Sequence, residues 1–223
     1  MIMKKILFLL FLLNIIVAKG QNVVTKFTSS GDFTVNPSYV KSFNEGINLE
    51  SYKNLDPSIL KDEMKINTPS GTSYIVKAFR FKDWGNDPGD YHVVEIYKDE
   101  NKIYEMLSID GWNYFPKQLT NETINRCCYP VNINDDTVAL VFDGVSYPYE
   151  YGLVGIVILN SNLAKLVFNK RFKIRELKKT DEEVKFVMQE NIVEYFSSGN
   201  KAIPNSEPIL KTLSISKDCI SLN

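Results

Sequence analysis

The chain has 223 residues, with 26 basic and 27 acidic side chains and a formal net charge of −1. Without the first twenty residues, which hold three lysines, 23 basic and 27 acidic residues remain, a net charge of −4. This mild acidity argues against a general binder of nucleic acids or anionic membranes, because such proteins carry a basic surplus.

The N-terminus has the pattern of an export signal. Lys4 and Lys5 precede a twelve-residue apolar run, residues 6–17, and Ala18-Lys19-Gly20 supplies small residues before Gln21. A membrane anchor is the alternative, but a spanning helix needs about 20 apolar residues. We therefore expect residues 1–20 to be cleaved and the protein to reach the periplasm or the extracellular space. Membrane attachment is expected only through an uncleaved signal.

Residues 21–71 are the least hydrophobic part of the chain and are interpreted as a polar lead-in segment. Apolar residues alternate across residues 27–35, which predicts an edge hairpin. Asp56-Pro57 ahead of Ile59, Leu60 and Met64 predicts one short helix, since Asp is a favoured N-cap and Pro is tolerated in the first turn.

Residues 72–223 are predicted to form an antiparallel β domain. Short runs rich in Val, Ile, Leu and Phe are separated by Gly, Pro, Asn and Asp, which is typical of strands. The run 153–159 is almost continuously apolar and predicts a mid-sheet strand covered on both faces. Tight turns are expected near Asp99, Ser161 and Lys217. We predict a mainly β fold, with antiparallel meanders forming a sandwich or open barrel and at most one or two short helices.

The segment Val184–Phe196 allows two interpretations. Thr180 followed by Glu183 is a capping-box signature, and Val184, Met188 and Ile192 keep helical spacing. The same segment is rich in β-branched and aromatic residues and alternates at 184, 186 and 188. We favour a strand.

Three polar loops carry aromatic residues, at 83–91, 110–115 and 147–152. Aromatic side chains recur in binding hot spots, although they could instead cap the open end of the β core. A meander alternates in direction, so we expect Trp84 and Trp112 at one end of the sheet, joined by Tyr147–Tyr151 if the second meander has the same orientation. The residues predicted to bind a ligand or partner at this rim are Trp84, Asp87, Asp90, Tyr91, Trp112, Tyr114, Tyr147, Tyr149 and Tyr151.

The chain has three cysteines, Cys127, Cys128 and Cys219. An oxidising compartment would permit one disulfide between Cys219 and either member of the adjacent pair. The alternative is that all three are small buried thiols. No histidine lies near them and no spacing matches a metal site, so we expect no metal and no cofactor.

The sequence contains only weak indications of a catalytic site. His92 is the only histidine, and no nucleophile motif accompanies it, so a structural role is favoured. Acidic residues flank the loops and could be the two catalytic carboxylates of a hydrolase. Those in the 83–90 loop could instead bind calcium. Acidic residues are also common in turns, so neither signal is specific. These residues are Asp83, Asp87, Asp90, Asp110, Asp143 and Glu150.

Six cations lie within residues 170–179. They could form a strip for an anionic ligand. We favour the other interpretation, a solvated face or an edge strand whose charges block strand addition.

The sequence therefore predicts an exported, non-catalytic β protein that recognises a protein or a glycan through its loops. A secreted hydrolase and an inhibitor or immunity-like protein are the alternatives.

Overall fold

The computed structural model describes residues 22–40, 59–81, 91–120, 124–146, 151–161, 163–190, 196–197, 200–201 and 208–223. The predicted export signal lies outside these residues and stays an expectation.

The described residues are mainly β, and every pairing between named strands is antiparallel. They include one 3₁₀ turn, Pro37–Tyr39, and one short helix, α1, Lys117–Thr120. The strands are β1 Asn22–Phe27, β2 Phe33–Val35, β3 Ile59–Asn67, β4 Ser73–Arg80, β5 Tyr91–Lys98, β6 Asn101–Asn113, β7 Tyr129–Asn132, β8 Val138–Ser146, β9 Tyr151–Asn160, β10 Leu163–Lys170, β11 Lys173–Lys179, β12 Glu183–Glu190, β13 Phe196–Ser197, β14 Asn200–Lys201, β15 Ile209–Ser216 and β16 Cys219–Leu222. The predicted fold class is confirmed.

The described strands form two large sheets, and β13 and β14 pair in a separate two-stranded sheet. The first has six strands in the order β11-β12-β15-β16-β1-β2. The second follows β10-β9-β8-β6-β5-β4-β3, and β7 pairs with β8 beside that path. Strand β8 therefore shares one of its edges between β7, opposite residues 138–141, and the end of β6, opposite residues 143–145.

Strands β8 and β9 are buried on both faces. Ala139, Val141 and Ile156 belong to a core shared with the first sheet. Leu140 and Val157, on the other face, belong to a second core shared with β3–β6, so the second sheet curves back over its own centre. The prediction that 153–159 is a mid-sheet strand covered on both faces is confirmed, and its lack of polar alternation follows from that position.

The predicted helix after Asp56 is wrong. Ile59 to Asn67 form β3, the edge strand of the second sheet, paired along its length with β4. Pairing to a neighbour overrides the local cap signal, since helix propensity is a weak prior. The predicted hairpin is confirmed, because β1 and β2 pair around a turn in which Gly31 has a φ of +85°. Residues of the lead-in segment are thus hydrogen-bonded into both sheets.

The described part of Val184–Phe196 is strand, as favoured. Val184, Phe186 and Met188 are buried against the first core, while the residues between them are half exposed. The capping-box signature belongs to a hairpin turn: the Glu183 N–H donates to Thr180 Oγ1 at 3.1 Å, and the Thr180 N–H donates to the Glu183 carbonyl at 2.9 Å. Residues 191–195 lie outside the described part.

Strand β11 forms one edge of the first sheet. Phe172, just before the strand, and Ile174, within it, are buried, whereas Lys173 and Arg175 are exposed. The basic strip is therefore an edge strand, as favoured from the sequence, and its charges disfavour pairing with another chain.

Candidate functional site

Two of the predicted rim residues lie in the core. Tyr91 and Trp112 are 0 % and 1 % exposed and pair with each other across β5 and β6. The Tyr91 hydroxyl donates to the Cys127 carbonyl, and burial raises its pKa well above the ordinary value. The structure corrects the expectation that these rings are presented to a partner, because neither reaches the surface.

Tyr114 is half-buried, and its hydroxyl donates to the Lys61 carbonyl at 2.9 Å. Tyr151 begins β9. The other predicted rim residues lie outside the described residues: Trp84, Asp87, Asp90, Tyr147 and Tyr149.

Strands β5 and β8 both run antiparallel to β6, so they run in the same direction as each other. The expected rim needs the loop before β5 and the loop after β8 at one end. Residues 82–90 and 147–150 of these loops lie outside the described residues, so the shared rim stays a prediction.

His92 is a buried sheet residue. Its ring stacks on Phe81 with centroids 5.4 Å apart, and Nδ1 lies 3.1 Å from the Ser108 carbonyl. This placement fits the structural role favoured from the sequence.

All three cysteines are free thiols. Cys127 and Cys128 are buried in the second core, whereas Cys219 is half-buried at the start of β16 in the other sheet. The structure thus contains no Cys219 cross-link to either member of the pair.

Asp143 is the one acidic loop-flanking residue whose side chain is described, and it is buried between the sheets. Burial raises the pKa of its carboxyl to about 7, while Lys173 and the backbone N–H groups of Gly144 and Ile174 lower it. Its Oδ1 has no hydrogen-bond partner. A carboxyl in this position is enclosed rather than open to a substrate.

Among the described residues, no three His, Cys, Asp or Glu side chains are grouped to hold a metal ion. No helix within those residues is long and apolar enough to span a membrane.

An open groove of about 760 Å³ lies at one end of the sandwich. One wall is β7 and the residue after it, Tyr129–Ile133. The other wall consists of the β11–β12 turn, Lys179–Val184, and the β15–β16 turn, Ile215–Asp218. We call this feature the end groove. It lies where the two sheets part, because β7 belongs to the second sheet and both turns to the first.

The floor of the end groove is the margin of the first core. Val131, Ile133, Val184 and Ile215 are all buried there. Tyr129 adds a half-buried ring whose centroid lies 5.4 Å from that of Phe115. The floor is therefore apolar and is formed by residues of both sheets.

The rim of the end groove is charged and predominantly acidic. Its lining residues include four carboxylates against two lysines, Lys179 and Lys217. The carboxylates belong to Asp181, Glu182, Glu183 and Asp218. Glu183 forms an ion pair with Lys185, whereas no described cation pairs with the other three.

Side-chain oxygens fix the two turns. Thr180 Oγ1 accepts the Glu182 and Glu183 N–H groups. Ser216 Oγ accepts the Asp218 and Cys219 N–H groups, both at 3.3 Å. These bonds hold each turn in one shape and turn its acidic side chains toward water.

No protein-family model, curated protein or solved structure matches this chain.

The outer edge of β7 is rich in acceptors. Within the described residues β7 pairs only with β8, with Pro130 opposite Leu140. Proline has no N–H to donate to β8, and successive residues of an antiparallel strand alternate between facing their partner strand and facing away. The backbone C=O of Pro130 and the backbone N–H and C=O of Asn132 therefore face away from β8. That edge offers two carbonyl oxygens and one N–H. Together with the rim carboxylates, it makes the end groove a surface that accepts far more hydrogen bonds than it donates.

Sequence reasoning missed this site. The turn signals at Thr180–Glu183 and Ser216–Asp218 were present, but the sequence gives no sign that two distant turns flank β7. An excess of acidic residues in turns far apart in sequence was the available signal.

Proposed function

We propose that this chain is an exported, non-catalytic binding protein whose end groove holds an extended, basic segment of a protein partner. The observation that carries the proposal is the acceptor-rich edge of β7 facing unpaired carboxylates across an apolar floor. Export is supported by the pattern of residues 1–20, and the mild acidity of the mature chain agrees with a basic partner.

A basic extended segment suits the chemistry of the groove. Arg and Lys side chains supply only donors, and their charge-assisted bonds to carboxylates are stronger than neutral ones. An extended backbone can donate N–H groups to an unpaired strand edge, while its apolar side chains cover the floor. Because Pro130 has no N–H, a strand added at this edge would bind mainly by donating its own N–H groups to the Pro130 and Asn132 carbonyls.

An inhibitor or immunity-like role is one form of this proposal, in which the bound partner is an enzyme or toxin. A glycan ligand would use the same carboxylates but would not need cationic groups.

The experiment is fluorescence anisotropy with labelled nine-residue peptides of alternating apolar and charged residues. The Lys/Arg version should bind, its Glu counterpart of equal length should not, and added salt should weaken binding because exposed charges are screened. Asp181→Lys with Glu182→Lys should raise Kd by about tenfold, from roughly 0.7 kcal/mol for each exposed pair.

The matched control is Glu63→Lys, which reverses an exposed charge on β3 in the other sheet and should leave Kd unchanged. Equal binding of the basic and acidic peptides, or binding of oligosaccharides in place of peptides, contradicts the proposal.

A further inference from the structure

Two buried cysteines pack beside a methionine where β3 meets the segment before β7. Cys128 Sγ lies 3.9 Å from Met64 Sδ. Cys127, the residue before Cys128, is fully buried in the same core. We call Met64, Cys127 and Cys128 the sulfur cluster.

The backbone holds the adjacent cysteines on the same side. Successive side chains of a regular strand point to opposite faces, but the chain bends at Cys127, and both thiols are buried in the second core. Two bonds fix the bend: the Cys127 N–H donates to Asp62 Oδ2 at 2.9 Å, and the Cys127 carbonyl accepts from Tyr91. A core built only for packing needs neither two adjacent inward thiols nor a carboxylate that binds the backbone N–H of the first of them.

The distance between the Cys128 and Met64 sulfurs fits two ligands of one small ion. With metal–sulfur bonds of ~2.3 Å at 120° to each other, neighbouring ligand sulfurs lie about 4.0 Å apart, close to the observed 3.9 Å. Thiolate and thioether ligands select soft ions, Cu(I) among them. Zinc prefers four N, S or O ligands, and Asp62 Oδ2 is already engaged by the Cys127 N–H.

We propose that Met64, Cys127 and Cys128 form a binding site for one Cu(I) ion. Binding replaces the two thiol protons with the ion, releases both protons to solvent and changes no oxidation state. Met64 is half-buried on the edge strand β3 and gives the ion its route from solvent. This site is separate from the end groove and does not depend on the proposed peptide binding.

The test is an anaerobic titration of the reduced chain with Cu(I) in competition with a chromogenic Cu(I) chelator. The wild type should take one ion per chain, with thiolate-to-copper absorbance in the near ultraviolet and a rise in Tm. Cys127→Ser and Cys128→Ser should each abolish binding. Met64→Leu, which keeps the volume of the side chain, should remain folded and bind at least about tenfold more weakly. Cys219→Ser is the matched control and should bind like the wild type, and Zn²⁺ should not raise Tm.

If either cysteine variant fails to fold, Met64→Leu decides the matter. No uptake by the reduced wild type, equal affinity of Met64→Leu, or loss of binding in Cys219→Ser overturns the proposal. The proposal is also overturned if mass spectrometry finds a Cys127–Cys128 disulfide in folded protein after treatment with a reductant.

Discussion

The Trp112 indole lies directly against Gly155 on the central strand β9. A Cβ atom on Gly155 would come within 3.0 Å of Trp112 Cη2. On Gly144, in β8, a Cβ would lie 2.9 Å from Trp112 Cε3 and 2.8 Å from the Gly111 carbonyl oxygen. The ring thus spans both central strands, and the two glycines provide the space it occupies.

Alanine at either glycine should destabilise the fold, and Gly144→Ala should cost more. At Gly155 only the Trp112 ring must move, whereas at Gly144 the Gly111 backbone must move as well. We expect losses in unfolding free energy of about 1–2 kcal/mol for Gly155→Ala and about 2–3 kcal/mol for Gly144→Ala. Urea unfolding measures both. An alanine at Gly144 that costs no more than one at Gly155 would contradict the geometry.

Trp112→Ala should lower the free energy of unfolding. Truncation of a fully buried aromatic ring costs about 3–5 kcal/mol, and Trp112 does not reach the surface where a partner would bind. Trp112→Phe combined with Gly155→Ala should recover at least about 0.5 kcal/mol relative to the sum of the single changes, because the smaller ring leaves room for the methyl group. Strictly additive effects would show that the two residues do not share this space.

The stability of the protein should fall between about pH 4 and pH 7 through Asp143. Its folded pKa, about 7, is raised above the ordinary 3.8, so the folded chain binds this proton more tightly than the unfolded chain. The stabilisation is complete below pH ~4 and is lost as the pH rises to ~7. Since one pKa unit is worth ~1.4 kcal/mol, the loss is on the order of 4 kcal/mol.

The measurement is the free energy of unfolding as a function of pH, for the wild type and for Asp143→Asn. The asparagine side chain cannot ionise, so the difference between the two curves isolates Asp143 from other carboxylates. A difference that is constant from pH 4 to 7 would contradict the assignment.

The β5–β6 turn should accept a stabilising glycine. Asp99 and Glu100 have φ values of 49° and 67°, the left-handed geometry of a two-residue hairpin turn that favours Asp-Gly. Glu100→Gly should therefore raise the unfolding free energy by about 0.5–1 kcal/mol. Lys217→Gly, in a turn without a positive φ among its described residues, is the control and should not stabilise. Thermal or urea unfolding distinguishes the two.

The fold class and the central strands could be predicted because a strand buried on both faces is apolar at nearly every position. The run 153–159 lacks polar alternation and was predicted directly, whereas Val184, Phe186 and Met188 only favoured a strand, because Thr180 and Glu183 left a helix open. The helix prediction for Asp56 to Met64 was wrong because Asp-Pro-Ser is a strong local helix signal. The pairing of β3 with β4 is non-local, and no pattern within the segment itself indicates it.

The candidate sites depended on long-range neighbours and could not be derived from sequence. Trp112 follows Asp-Gly and resembles a loop residue, but its strand bulges, since Tyr91 pairs with Trp112 and Val93 with Leu107. The sulfur cluster joins Met64 to cysteines more than sixty residues away. The end groove likewise brings together β7 and two turns from the other sheet.

The central claim is that the end groove binds a basic, extended segment. The most direct measurement is NMR chemical-shift mapping of the isotope-labelled protein during titration with the Lys/Arg peptide. The account predicts that the largest amide shifts cluster at Val131–Ile133, Asp181–Glu183 and Lys217–Asp218, and that they disappear with the Glu peptide. Shifts centred elsewhere, such as on the exposed face of β3 and β4, or equal shifts with both peptides, would contradict it.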